Sequence, residues 1–291
     1  MVHPPTTHAE EVSSGQRFEF GRNWARFLET LDDERIQRAE ESLGNMLEMT
    51  DLTGLDFLDA GSGSGLFSLA ARRLGARVYS FDYDPNSVNC TAELRRRYFL
   101  NDSLWRVETG SVLDADFLAR LGQFDIVYSW GVLHHTGEMW QALANVAPLV
   151  RPGGQLFVAI YNDQGKISHR WTVVKRMYNQ FPPALRFLVL WPAFLSLWWR
   201  RLLKDLLTGQ PTRSFKTYRG FRGMSPWHDV VDWVGGYPFE VARPEQIFDF
   251  YRTRGFTLQR LRTEGGSLGC NEFVFHRSFQ STHHSTQEVG V

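Results

Sequence analysis

The sequence predicts an α/β fold: a mostly parallel sheet, preceded by N-terminal helices and followed by a C-terminal helical or irregular cap. Three observations predict it. Between about Leu55 and Asn162, short apolar runs alternate with helix-like stretches. A glycine-rich turn, Asp59-Ala60-Gly61-Ser62-Gly63-Ser64-Gly65, joins the first run to the next helix. A second acid, Asp82, ends the following run. Strands alternating with helices need right-handed crossovers, which leave neighbouring strands parallel.

The elements follow in order. Residues 1–15 are polar, lack the apolar core of a secretory signal, and are expected to be disordered. Residues 16–54 read as a helical lid. In Gln16 to Met49 the apolar Trp24, Phe27, Leu28, Leu31, Ile36 and Leu43 recur at roughly helical intervals, and Asp32-Asp33 suits a helix start. Residues 55–162 form the core. Strands are expected at Phe57–Ala60, Arg77–Phe81, Trp105–Glu108, Phe124–Ser129 and Gln155–Tyr161, and helices at Leu66–Leu74, Ser87–Arg97 and Trp140–Val150. Pro152-Gly153-Gly154 reads as a turn. Residues 163–242 read as an inserted cap, with a turn-rich stretch of Arg, Gly and aromatics from Arg213 to Phe239. Residues 243–278 return to the core as a helix, Pro244–Arg254, and two closing strands, Phe256–Arg262 and Asn271–His276, which can pair antiparallel. The tail, 279–291, is expected to be disordered.

The chain's 291 residues suit one large domain with an elaboration. Its 32 basic and 32 acidic residues balance, so no global charge points to nucleic acid. Cys90 and Cys270 are too few for a disulfide framework and lack zinc spacing. The reading is two reduced thiols in a cytoplasmic protein with no metal. From Phe187 to Trp199 the sequence is FLVLWPAFLSLWW. A membrane span needs about 20 apolar residues, and this run is shorter and holds Pro192. It is either a hydrophobic cap or dimer surface, or an interfacial helix touching a membrane through 187–204. Trp198, Trp199, Arg200, Arg201 and Lys204 suit the second reading.

Glycines in a tight turn permit positive φ and close backbone approach to a ligand. Asp82, about 20 residues beyond the turn, can accept hydrogen bonds from ribose hydroxyls. Asp84 is its rival, but Asp84-Pro85 looks like the start of the next helix. The turn by itself is also an ordinary strand-to-helix connection. Its pattern is an acid followed by G-x-G-x-G, not the dinucleotide G-x-G-x-x-G.

The turn resembles the first motif of the class I S-adenosylmethionine (SAM) dependent methyltransferases. The resemblance extends over about 100 residues. Asp82 matches the family's ribose-binding acid, Gly110-Ser111-Val112 the loop beside adenine, and Phe124-Asp125-Ile126-Val127 the fourth strand. Gly131-Val132-Leu133-His134-His135 resembles the loop after it, and Leu149-Val150-Arg151-Pro152-Gly153-Gly154-Gln155-Leu156 the turn into the fifth strand. Ser111 stands where the family usually has an acid. The resemblance implies a Rossmann-like SAM-binding domain. Its cofactor contacts would be Asp59, Gly61, Ser62, Gly63, Gly65, Asp82, Tyr83, Ser111, Val112 and Trp130. Trp130 either faces the sulfonium or packs in the core.

Methyl transfer is accelerated by alignment, and an oxygen nucleophile also needs a base. His134 follows the fourth strand and is the first candidate base; the loop otherwise shapes the pocket. His228 with Asp229 is the second candidate, in a polar stretch that also holds Asp232. The same stretch reads equally as a loop bracing the apolar run. His135, Tyr161, Asn162, Trp227, Tyr237 and Glu240 are candidate substrate contacts. Phe20 and Trp24 either close the lid or pack the first helix. The expected function is methylation of a small-molecule acceptor, lipophilic or aromatic, quinone-like or a natural-product intermediate. A SAM-fold enzyme with other chemistry and a non-catalytic SAM-binding scaffold stay open. The partners left open are a membrane surface and a second copy of the chain.

Overall fold

Five runs become parallel strands, and the central ones are buried on both faces, as a helix-flanked sheet requires. They are β1 (Asp56–Ala60), β2 (Arg77–Asp82), β3 (Trp105–Thr109), β4 (Phe124–Trp130) and β5 (Val150–Tyr161). Two further strands, β6 (Phe256–Arg262) and β7 (Cys270–Arg277), close the sheet. In the computed structural model, which describes residues 7–210, 213–214, 226–265 and 269–279, the order is β3-β2-β1-β4-β5-β7-β6. β7 runs antiparallel to both neighbours. The strand order reverses at β1, which pairs with β2 on one side and β4 on the other. A crevice at the carboxyl ends of β1 and β4 is therefore the expected ligand site.

Helices cover both faces. One face carries α2 (Gly21–Glu29), α3 (Asp33–Leu47), α4 (Leu66–Arg73) and α5 (Pro85–Tyr98), with Leu28, Leu43, Leu69 and Leu94 packed on Phe57, Val78 and Tyr128. The other carries α6 (Ala115–Ala119), α7 (Met139–Val146) and α11 (Pro244–Arg252), with Phe117, Leu143 and Tyr251 on Leu58, Val127 and Phe275. Asp32 caps α3 by accepting from the Arg35 N–H at 2.9 Å, as the acidic pair led us to expect.

The cap comprises α8 (Lys166–Gln180), α9 (Phe187–Leu207) and α10 (Pro226–Gly235) around Tyr178, Leu190, Phe194, Trp198, Val230 and Val234. Three expectations need correction. Residues 8–13, expected to be disordered, form helix α1 (His8–Ser13), because Thr7 and Glu10 make a reciprocal capping box. The stretch around Asp229, expected to be turn-rich, is helical from 226 to 235, since Val230, Val231 and Val234 supply an apolar face. Pro152-Gly153-Gly154 lies within β5 as a bulge, where the register jumps from Phe124↔Val150 to Ile126↔Gln155. The apolar run continues to Leu207 despite Pro192. Among the described residues no helix is long and apolar enough to cross a membrane. Residues 280–291 and Arg222–Ser225 lie outside the described residues, as does the side chain of His228.

Candidate functional site

The glycine turn leaves β1 with φ of +88° at Gly61, +54° at Gly63 and +81° at Gly65. A Cβ at Gly61 would strike the Val132 side chain at 2.3 Å, so glycine is required there by both backbone and space. The Gly61 and Ser62 N–H groups donate to the Phe81 carbonyl at 2.9 and 3.0 Å, and the Ser62 hydroxyl meets Thr91 at 2.9 Å. Gly65 then opens α4.

The two acids flanking this turn do different work. Asp59 faces inward beneath it. Its carboxylate accepts from Ser68, whose oxygen meets Ser80 at 2.7 Å, which in turn accepts from the Trp105 indole at 2.9 Å. An indole N–H only donates, so the protons in this chain all point toward Asp59. Burial pushes the Asp59 carboxyl up to about 7. Asp82 holds the rim. One oxygen accepts from the Gly63 N–H and the other from the Asp84 N–H, both at 2.9 Å. Burial raises it to about 6 against those two bonds. A carboxylate offers about four lone-pair sites, so two remain for a diol. Asp84 is committed elsewhere: it caps α5 through the Asn86 N–H at 2.9 Å and takes the Gly21 N–H at 2.8 Å. The geometry thus leaves Asp82 as the diol candidate.

Ser111 and Val112 follow β3 next to Asp82, whose carbonyl accepts from the Gly110 N–H at 3.0 Å. Ser111 accepts from the Leu113 N–H at 3.1 Å. Glycines without side chains, a rim carboxylate and this neighbouring loop fit a ribose-bearing ligand. Trp24 lies across the turn, its indole nitrogen 3.2 Å from where a Gly63 Cβ would stand, and the Phe20 ring meets His135 at 5.0 Å in a tilted contact. Both lid residues therefore reach the site. Trp130 points outward, is 42% exposed, and donates its indole N–H to Glu272 at 3.0 Å.

His134 and His135 sit in a short 3₁₀ turn after β4, both buried. The tautomer of His135 follows from its partner. His135 Nδ1 lies 2.6 Å from the Pro238 carbonyl, which can only accept, so Nδ1 carries the proton and Nε2 presents a lone pair. His134 Nδ1 lies 3.4 Å from the Tyr161 N–H, its ring also meets the Ala159 carbonyl, and its Nε2 is buried without a hydrogen-bond partner. Burial holds both imidazoles neutral, His135 down to about 3. Tyr161 stacks on His134 at 4.0 Å and touches Trp233 at 5.4 Å and Phe239 at 5.1 Å, completing an aromatic cluster at the carboxyl ends of β4 and β5.

The other candidates divide. Tyr83 lies under the N-terminal segment: its hydroxyl donates to Glu11 at 3.4 Å, and Arg17 covers its ring at 5.0 Å. Tyr237 offers its carbonyl to the Phe18 N–H at 2.9 Å. Asn162 is engaged with Asn271 at 3.1 Å at the β5–β7 edge. Glu240 does not point into the cluster; both carboxylate oxygens take the Met139 N–H that begins α7. Trp227 packs against Trp191 and Phe194 of the cap, and Asp229 stands in the first turn of α10. The pairing of Asp229 with His228 rests on a side chain outside the described residues.

Sequence reading missed Arg17 and Lys175. Arg17 donates to the His135 carbonyl at 2.9 Å and pairs with Glu11 at 2.5 Å, strapping the N-terminal segment across the site. The cue was the capping box at Thr7, which makes this segment a helix. Lys175 is fully buried; its ammonium donates to the Trp233 carbonyl and sits 4.1 Å from the Trp233 ring centroid and 4.7 Å from that of Phe239. The charge of Lys175 also lowers both histidines. Beside it Asp232, raised by burial to about 7, has a buried Oδ1 without a hydrogen-bond partner. Among the described residues no His, Cys, Asp or Glu cluster could hold a metal ion.

A family model described as a methyltransferase domain matches residues 58–156. The ubiquinone biosynthesis O-methyltransferase of Xanthomonas oryzae pv. oryzae is 34% identical over 115 residues, 38% of this chain and 45% of that protein. The corresponding protein of Parvibaculum lavamentivorans is 31% identical over 130 residues, 43% of this chain and 47% of its own length. The chain thus spans less than half the length of these curated relatives. The fold is also that of magnesium protoporphyrin IX methyltransferase from Synechocystis PCC 6803, at TM-score 0.51, 15% identity and coverage of 95% of this chain and 90% of that one. A putative methyltransferase solved with the Haloferax volcanii Trm112 activator gives TM-score 0.52 at 14% identity, covering 91% and 98%.

Proposed function

We propose that this chain, a member of the class I SAM-dependent methyltransferase family, methylates a hydroxyl of a small, lipophilic or aromatic acceptor. The observation that carries the reading is His135, held through Nδ1 by the Pro238 carbonyl with Nε2 left to accept, beside the Tyr161 ring of the aromatic cluster. SAM, when bound, supplies a methyl group on a sulfonium that leaves as a neutral thioether. The glycine turn, Asp82 and the Ser111-Val112 loop would hold its adenosine end. The relatives' names support an oxygen acceptor of quinone type.

The protein's own part is to orient, to exclude water and to move one proton. Phe20, Tyr161, Trp233 and Phe239 supply flat apolar surfaces that can seat an aromatic ring. His135, fixed by the Pro238 carbonyl, accepts the hydroxyl proton at Nε2 as the oxygen–carbon bond forms. His134, fully buried behind Tyr161, serves the pocket as a polar wall. The roles of the two histidines are therefore exchanged relative to the sequence expectation. Trp24 and Phe20 close over the turn and exclude water.

The test is calorimetry with SAM and S-adenosylhomocysteine, followed by transfer of labelled methyl to a panel of catechols and hydroquinones. Binding of both nucleosides and label on an acceptor oxygen are expected. Failure to bind either one overturns the reading.

A further inference from the structure

The outer surface of the cap carries a feature that the reaction does not use. On α9, Leu188, Trp191, Leu195, Trp199, Leu203 and Leu206 recur at intervals of three and four and share one face. Each is between 46% and 71% exposed. The opposite face, with Leu190, Ala193, Phe194 and Trp198, is buried in the cap core. The helix is thus apolar on two sides, and among the described residues the outer side meets protein only where Trp191 touches Trp227. A contiguous exposed apolar stripe of this kind marks an interaction surface.

Charge decides what occupies it. Residues 166–207 hold eight Lys and Arg but a single acid, Asp205, in a chain whose net charge is zero. Asp205 is 3% exposed and bonded to the backbone and hydroxyl of Ser214. Lys166, Arg170, Arg176, Arg200, Arg201 and Lys204 are exposed. Arg200 lies 5.5 Å from the Trp199 ring of the stripe, and Lys204 is exposed one turn further along the helix. The surface of 166–207 therefore presents apolar groups and cations and no exposed acid. A second copy of the chain fits poorly, because a two-fold dimer would set the same cations against each other. An anionic lipid surface fits both components: aliphatic and indole side chains enter the headgroup boundary while lysine and arginine stay with the phosphates.

We infer that α9 docks this protein on the surface of an anionic bilayer, apolar stripe inward and basic edge over the headgroups. The inference is independent of the reaction assigned above. The test is co-sedimentation of the full chain with vesicles of phosphatidylcholine alone and of phosphatidylcholine mixed with phosphatidylglycerol. Binding is expected to the mixed vesicles only, and to weaken with salt. Leu195→Glu with Trp199→Glu, and separately Arg200→Glu with Lys204→Glu, are expected to weaken it by about tenfold or more. S-adenosylhomocysteine binding, unchanged in both variants, would show that they fold. Absence of vesicle binding, equal binding by wild type and variants, or a dimer that Leu195→Glu dissociates without any vesicle binding would each overturn the inference. Loss of nucleoside binding by the wild-type chain would overturn the methyl-transfer reading and leave this one standing.

Discussion

His135 donates from Nδ1 to the Pro238 carbonyl at 2.6 Å, and this one bond fixes which of its nitrogens can act as a base. It also separates two substitutions that look alike. His135→Asn keeps a donor near the Nδ1 position but removes Nε2. We predict that turnover falls by about 100-fold or more while nucleoside affinity is unchanged. His134→Gln keeps a polar group in the wall behind Tyr161 and is predicted to retain most activity. Steady-state kinetics with calorimetry on both variants checks the exchange of roles. With His135 held down to about 3, the acid limb of the rate profile is predicted to lie well below pH 6.5.

Asp82→Ala removes acceptors from two backbone N–H groups and the proposed ribose contact together. Hydrogen bonds to a charged group are worth about 1.5–3 kcal/mol each, so nucleoside affinity is predicted to drop by about tenfold or more. Asp84→Ala should instead loosen the start of α2 and α5, lowering thermal stability by about 1–2 kcal/mol through the lost cap. Calorimetry and urea unfolding distinguish the two.

Asp59 gives a stability prediction with a definite sign. Its folded pKa, about 7, lies above the ordinary 3.8, so the folded state binds its proton more tightly. Stability from this group is complete below about 3.8 and is lost as pH rises through 7. Asp59→Asn is therefore predicted to stabilise the free protein at pH 8, by up to about 4 kcal/mol, with the advantage shrinking toward pH 4. Urea unfolding at several pH values measures it.

Lys175 titrates in the opposite sense. Burial holds its amine well below the usual 10.5, so the unfolded chain binds the proton more tightly and stability is lost as pH falls below that value. Lys175→Met fills the same space without a charge. Removing a buried ammonium should outweigh the loss of one hydrogen bond, worth about 1 kcal/mol. The variant is predicted to melt higher at pH 7, with a flatter dependence between pH 8 and 10.

The core was legible in the sequence because its signals are local. The turn at Gly61 to Gly65 announces itself by residue type, and Asp84-Pro85 is a helix start that leaves Asp82 free. Phe57, Ile126 and Phe157 mark strands by apolar runs bounded by turns. What sequence reading missed depends on distance along the chain. The tautomer of His135 is set by Pro238, and the burial of Lys175 by Trp233 and Phe239. Neither partner is near in sequence. The helix at His8 was readable, since Thr7-His8-Ala9-Glu10 is a capping box, but its short apolar content pointed to disorder. In Trp227 an aromatic side chain suggested substrate contact where Trp191 and Phe194 had already claimed it.

Asp82 and Asp84 lie two positions apart, one gripping the glycine turn and the other gripping the first residue of the covering helix. One short stretch of chain at the end of β2 thus ties down both the glycine turn and the start of α2.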